Sequence, residues 1–297
     1  MTSAPAAAPA LGPPLAPAAP RAAAAVLSIA GSDPSGGAGI QADIKTISAL
    51  GLYAAAVPAV LTAQNTRGVR SVQTLDPGFV EQQIAAVLED IRPAAVKIGM
   101  LGNAETVRAV ARALDRDRAQ AVAHGEKPLP IVLDPVMVSS SGTRLLSKDA
   151  IRALEDDLAP LCTLITPNIP EAETFIRGRI ASRKPREAAA SILCKAFECA
   201  VLIKGGHASE DDNAADCLAR PENGTPRITW FEQARVPGAQ AHGTGCALSS
   251  AIACGLARGL DLEESIRMAK DYLAGALAHP LCLGQGTSPV NHFWRYR

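Results

Sequence analysis

Ala24-Ala25-Val26-Leu27-Ser28-Ile29-Ala30 is a short apolar run that stops at Gly31. Ser32-Asp33-Pro34-Ser35-Gly36-Gly37-Ala38-Gly39 follows, and Ile40, Ile44, Ile47 and Leu50 then recur at helical spacing. A nearly unbroken apolar run bounded by glycine reads as a buried strand, and the recurrence after it reads as one face of a helix. Gly51 closes that helix. A strand, a glycine loop and a helix form the repeating unit of an α/β fold whose parallel strands are covered on both faces.

The same alternation continues along the chain. Residues 53–62 read as a second strand, which ends in the polar cluster Gln64-Asn65-Thr66. Asp76 and Pro77 supply an N-cap and a first-turn proline, and Phe79, Val80, Ile84, Val87, Leu88 and Ile91 line the helix they open. Residues 95–100 read as a third strand, Asn103 caps the next helix, and 117–129 read as an exposed connection. Residues 131–136 form a fourth strand before the serine loop 139–142. Ser147 caps a helix to about Leu158, and 161–166 form a fifth strand running into Pro167-Asn168-Ile169-Pro170-Glu171. Pro185 opens a further helix, 200–204 form a sixth strand, and a hairpin is expected around Asn223-Gly224. Two helices, 243–258 and 262–279, close the chain. With no internal repeat, the sequence predicts a single domain over 24–297. Residues 1–23, almost all Ala and Pro, read as a disordered tail.

Composition narrows the function classes. The chain is 48% hydrophobic but only 3% aromatic, so its core is built from Ala, Val, Leu and Ile. Lys plus Arg equals Asp plus Glu at 29 each, which gives no electrostatic ground for a nucleic-acid or acidic-membrane partner. The seven cysteines form no Cys-x-x-Cys pair and no zinc spacing, so they read as reduced thiols of a cytoplasmic protein. No apolar run approaches the ~20 residues of a membrane span, and the N-terminus lacks the pattern of a secretory signal.

In open α/β sheets ligands bind at the carboxyl ends of the strands, where the polar loops of this chain fall. Ala241-His242-Gly243-Thr244-Gly245-Cys246 runs straight into a small-residue helix. The first amides of a helix have no intrahelical partner and its dipole favours negative charge there. This stretch is therefore a candidate anion hole with a thiol pointing into it; it also reads as a glycine turn before a buried helix. Gly36 to Gly39 carry neither a dinucleotide fingerprint nor a Walker loop. Asp43, one turn into its helix, needs no role beyond facing solvent. Asp134 lies within an apolar strand and needs a partner there. Asn168 and Glu171 suit either a helix cap or a hydrated magnesium site. Lys204, before Gly205-Gly206-His207, suits a phosphate or an ordinary surface. His207 and His242 are open between structural and functional roles, and Cys254 reads as core.

Taken together, Ile29 to Asp43, Ala63-Gln64-Asn65-Thr66, Lys97-Ile98-Gly99-Met100-Leu101 and Leu133-Asp134-Pro135-Val136-Met137 resemble the hydroxymethylpyrimidine/phosphomethylpyrimidine kinases of thiamine biosynthesis. Ile165 to Ala172, Lys204 to His207, His242 to Cys246 and Ser288-Pro289-Val290-Asn291-His292-Phe293 extend the resemblance from about Val26 to the C-terminus. It implies a ribokinase-like α/β fold, mostly parallel with helices on both faces, assembled as a homodimer. It also implies ATP with magnesium, leaves a monovalent cation open, and makes the reaction a phosphorylation of the pyrimidine alcohol to its monophosphate and then to the diphosphate. Gly31, Asp43, Gln64 and Met100 would surround the pyrimidine, Gln64 hydrogen-bonding its aminopyrimidine edge. Asp134, Lys204, Asn168 and Thr244 would lie on the nucleotide side, with Glu171 and Asn168 holding magnesium through water. Gly243, Gly245 and Cys246 would supply anion-hole amides. The Cys246 sulfur would act as a general base if a helix N-terminus lowers its pKa. The alternatives are a pyridoxal kinase of the same superfamily, which usually has Asp in place of Cys246, and a non-catalytic nucleotide-binding protein on this fold.

Overall fold

In the computed structural model, residues 24–138, 142, 145–206, 214–236 and 241–296 are described. The N-terminal tail, most of the serine loop and His207 lie outside them. Among the described residues nine strands form one sheet: β1 (Ala25–Gly31), β2 (Tyr53–Asn65), β3 (Gly68–Thr74), β4 (Ala95–Ile98), β5 (Ile131–Leu133), β6 (Leu164–Ile165), β7 (Ala200–Ile203), β8 (Asp216–Arg220) and β9 (Arg227–Phe231). Their order is β3-β2-β1-β4-β5-β6-β7-β8-β9. The run from β2 to β7 is parallel, while β3, β8 and β9 add antiparallel edges.

Strand side chains alternate between the two faces, and the helices divide accordingly. Leu27 and Ile29 of β1 pack on the face covered by α2 (Pro77–Asp90), α3 (Ala104–Ala123), α4 (Lys148–Ala153), α5 (Ile169–Ile176) and α6 (Arg183–Phe197). Val26 packs on the other face, under α1 (Gly39–Ala49), α7 (Thr244–Ala257) and α8 (Leu262–Ala278). The Ala-rich helix α7 is buried from Ala247 to Gly255, so it is apolar all round and carries no amphipathic stripe. Among the described residues, no helix is long and apolar enough to cross a membrane.

Several expectations need correction. The connection expected from 117 is helical to Ala123, because Arg and Ala in that stretch are good helix formers whatever their exposure. Strand β3 was not anticipated. It is an exposed edge strand whose side chains enter no core, so its sequence lacks the apolar pattern of a buried strand. The helix capped by Ser147 leaves α geometry after Ala153 and finishes as a π turn, and 159–161 form a 3-10 turn where a strand was expected to begin. Pro185 is the third residue of α6 and does not open it. Strand β5 stops at Leu133, so Asp134 lies just past the strand end. It stays buried there, with its amide donating to Ile98 O at 2.9 Å.

Candidate active site

The carboxyl ends of β1, β2, β4, β5, β6 and β7 meet the N-terminus of α7. Gly243 caps that helix with φ +87°, a left-handed conformation, and a Cβ there would lie within bonding distance of the Gly37 carbonyl. Only glycine meets both demands. Two glycine loops are thereby pressed together, and the amides of Thr244, Gly245 and Cys246, in the first turn of α7, have no intrahelical partners.

The charged side of the pocket is compact. Lys204 Nζ donates to Asp134 Oδ1 at 2.6 Å, and Thr166 Oγ1 also reaches that oxygen at 3.3 Å. A Cβ on Gly245 would stand 3.1 Å from Asp134 Oδ2 and 3.3 Å from Lys204 Nζ, so the helix backbone lies directly against the pair. Burial works against the charge of Lys204, but Asp134 and Glu171 beside it raise its pKa above the ordinary lysine value. Asn168 and Glu171 form a capping box at the start of α5. Asn168 Oδ1 accepts from Glu171 N at 2.9 Å, and Glu171 Oε2 accepts from Asn168 N at 2.8 Å. The backbone of Lys204 is bridged to the same loop through Pro167 O. Burial first, and then the negative charge of Asp134, push the Glu171 carboxyl up to about 7 despite Lys204 nearby. Where Glu171 is ionised, above about pH 7, two carboxylates face one ammonium, and that local excess of negative charge suits a cation.

The second side is mostly neutral. Met100 Cε lies 2.8 Å from where a Gly31 Cβ would stand, so these two residues form one wall. Gln64, at the end of β2, lies beside His242, with Gln64 Nε2 and His242 Nε2 3.0 Å apart. His242 Nε2 is also 3.0 Å from Asp33 Oδ2.

Asp43 does not face solvent and does not line this wall. It is fully buried under the pocket, where Lys97 Nζ donates to both of its oxygens at 2.7 and 2.8 Å. Ser28 and Ser250 fill the remaining positions at 2.6 and 2.8 Å. Every direct contact Asp43 could offer a ligand is already taken by the protein. Its buried partner Lys97 is not among the residues expected at the site, although a lone lysine between Val96 and Ile98 in an apolar strand is the same signal that singles out Asp134.

Cys246 stands between the two sides. Burial pushes its thiol up to about 11, with the Asp43 and Asp134 charges adding to the rise. Lys97 and the Gly39 amide at the head of α1 oppose it without winning. The residue keeps some exposure at the pocket, but its sulfur is heavily surrounded by protein. The expected lowering by the helix N-terminus is therefore outweighed by desolvation. Cys254, on the same helix, is buried in the core. All seven cysteines are free thiols.

With this geometry in place, residues 33–291 match the family described as phosphomethylpyrimidine kinase. The chain belongs to the phosphomethylpyrimidine kinase family. A hydroxymethylpyrimidine/phosphomethylpyrimidine kinase of Rhizobium meliloti is 43% identical over 274 residues, spanning 91% of this chain and 97% of that protein. A phosphomethylpyrimidine kinase structure from Clostridium difficile aligns with TM-score 0.70 and 38% identity over 84% of this chain and 97% of that one. A Bacillus subtilis pyridoxal kinase, solved as an ADP complex, aligns with TM-score 0.81 and 29% identity over 92% of this chain and 99% of that one. These alignments establish the ribokinase-like α/β fold and make the protein a thiamine-pathway pyrimidine kinase.

Proposed function

We propose that the pocket transfers the γ-phosphoryl group of ATP to the hydroxymethyl oxygen of 4-amino-5-hydroxymethyl-2-methylpyrimidine, and then a second group to the resulting monophosphate. The observation that carries this reading is the Gly245 backbone lying against the Asp134–Lys204 pair. It brings helix-terminal amides and an ammonium to one point. Phosphoryl transfer needs just that: positioning, and donors aimed where negative charge develops, with no protein nucleophile. The amides of Gly243, Thr244, Gly245 and Cys246 would hold the transferring group, and Lys204 would neutralise phosphate oxygens in ground and transition states. Gln64, Met100 and Gly31 would hold the pyrimidine opposite. Asp43, sealed below, would act only by supporting Lys97 and the floor.

Magnesium would neutralise the nucleotide phosphates. Among the described residues no group of three or more His, Cys, Asp or Glu could cage a metal. An ion held by the phosphates and by water, with Glu171, Asn168 and Asp134 as outer partners, suits this donor set. The capping bonds of Glu171 leave lone pairs for such waters. We further propose a cytoplasmic homodimer, on the family resemblance and the reduced thiols.

The decisive test incubates pure protein with ATP, magnesium and the pyrimidine alcohol, and follows the products by mass spectrometry. Mono- and then diphosphate are expected. ATP consumption with neither product would overturn the reading. The likeness to a pyridoxal kinase favours a second substrate, so the same assay with pyridoxal tests for side activity.

A further inference from the structure

We propose that Asp33 and His242 fix the orientation of the Gln64 amide, so that Gln64 selects a pyrimidine edge carrying a ring-nitrogen acceptor. The inference rests on the reading above that Gln64 faces the pyrimidine. It begins at Asp33, which only accepts. Ser35 N and Oγ donate to its Oδ1 at 2.9 and 2.7 Å, and Gly37 N and Ala38 N donate to its Oδ2 at 3.2 and 2.8 Å. A carboxylate so surrounded is an anion with no hydrogen to give.

His242 Nε2, 3.0 Å from Asp33 Oδ2, must therefore carry the hydrogen and donate it. A protonated ring nitrogen has no lone pair. Yet Gln64 Nε2, also a donor, faces that nitrogen at 3.0 Å. On its other side Gln64 Oε1 is 3.4 Å from Thr62 Oγ1, whose one hydrogen is better given to Ser32 O at 2.8 Å. Donor thus faces donor, and acceptor faces acceptor. A half-turn of the amide resolves both conflicts, since side-chain amide orientation is decided by the hydrogen-bond network. Gln64 Oε1 then shares the single His242 Nε2 hydrogen with Asp33 Oδ2 in a three-centre bond, Gln64 Nε2 donates to Thr62 Oγ1, and one amide N–H is left over for a ligand.

The ring nitrogen next to the amino group of a 4-aminopyrimidine is an acceptor. In the 4-oxo counterpart that nitrogen carries hydrogen. The left-over N–H therefore pairs with the first and confronts the second. His242 is in this account a positioning residue: it acts on discrimination through Gln64.

The test measures kcat/KM for the 4-amino alcohol and its 4-oxo analogue. The parent should prefer the amino compound by about tenfold or more, as a site built around one hydrogen bond rejects the mismatch. His242→Leu should reduce that ratio at least about fivefold, with the KM for ATP unchanged. His242→Gln, which keeps an N–H donor near the Nε2 position, should restore most of it. In a Gln64→Ala background, His242→Leu should have no further effect on the ratio. An unchanged ratio in His242→Leu, alongside a collapsed ratio in Gln64→Ala, overturns this inference and leaves Gln64 in the site. An unchanged ratio in Gln64→Ala removes Gln64 from the site and the inference with it. Nitrogen-15 NMR of the parent protein needs no variant to fold: a His242 Nε2 signal without its hydrogen overturns the proposal by itself.

Discussion

Two lysine–aspartate pairs lie at the carboxyl side of this sheet, and they differ in what they leave open. Lys97–Asp43 is 2.7 Å long, with both side chains wholly inaccessible and both Asp43 oxygens saturated by Lys97, Ser28 and Ser250. Lys204–Asp134 is 2.6 Å long, with the lysine 14% accessible and Asp134 Oδ2 turned toward the backbone of Gly245. The chemistry of the pair is the same in each. The sealed pair lies out of a ligand's reach and its carboxylate is saturated, whereas the open pair has a partly accessible ammonium with hydrogens to spare. Burial of charge therefore does not by itself mark the working site; remaining hydrogen-bond capacity does.

The largest effect that would sharpen this contrast is on stability. Lys97→Ala strands the Asp43 carboxylate in the core and should cost about 3–5 kcal/mol in urea unfolding. Lys97→Met combined with Asp43→Leu should cost clearly less than the two single changes added together. A loss below ~1 kcal/mol for Lys97→Ala would mean that water or another cation reaches Asp43, and the pair would not be sealed.

Lys204→Ala comes next and should act on rate. Removing one charged donor from a preorganised anion site should lower turnover by roughly 10²–10³ and weaken ATP binding. Because Asp134 is itself buried, stability should also fall, but by less than for Lys97→Ala, since Lys204 is 14% accessible and water can enter beside the carboxylate. If instead stability falls as it does for Lys97 and turnover persists, the two pairs have been assigned the wrong way round.

The sequence reveals one pair far more readily than the other, and the reason is physical. Asp134 and Lys204 stand at the ends of apolar strands beside proline and glycine, where a charge has no packing role. Asn168 and Glu171 are legible as a cap for the same local reason. The central parallel strands are legible as near-continuous apolar runs. Asp43 finds Lys97 across 54 positions, through the pairing of Ser28 with Lys97 on neighbouring strands. No local period carries that contact, so a carboxylate on a short helix reads as solvated. The Asp33–His242–Gln64 chain is hidden likewise, spanning 209 positions from Asp33 to His242. Strand β3 is illegible because it buries almost nothing.

A smaller effect concerns Glu171, which tests how much cation character the open side has. Its folded carboxyl, at about 7, lies above the ordinary value of 4.5. The folded state therefore holds more protons between those values, and stability falls as pH rises through about 7. Glu171→Gln keeps the cap but removes that penalty. It should raise the melting temperature more at about pH 8 than at about pH 5.5. It should also raise the magnesium concentration for half-maximal rate, most visibly at the higher pH, where the parent carboxylate is charged. A gain in melting temperature that does not depend on pH, with a magnesium titration overlaying that of the parent, would reduce Glu171 to a helix cap.

The smallest expected effect is at Cys246, between the two pairs. General-base help is typically worth ~10²–10⁴ in rate, or roughly 3–5 kcal/mol of barrier. With the thiol pushed up to about 11, only about one molecule in ten thousand holds a thiolate near pH 7, and populating it costs about 5 kcal/mol. Cost and help cancel, so the sulfur gains nothing by acting as base. A loose phosphoryl-transfer transition state asks little of a base in any case. The Cys246 amide survives replacement of its side chain, and the anion hole survives with it. Cys246→Ala should therefore keep turnover within about tenfold of the parent, below the usual general-base effect, with ATP affinity unchanged. The pH profile separates the two accounts more sharply than the rate. A sulfur base with a pKa of about 11 would make the parent rate climb about tenfold per pH unit from neutral to alkaline, while the alanine variant stayed flat. Parallel profiles would assign the catalysis to the backbone amides and Lys204. Diverging profiles would show that ATP binding rearranges the charges around Lys97 enough to free the thiolate.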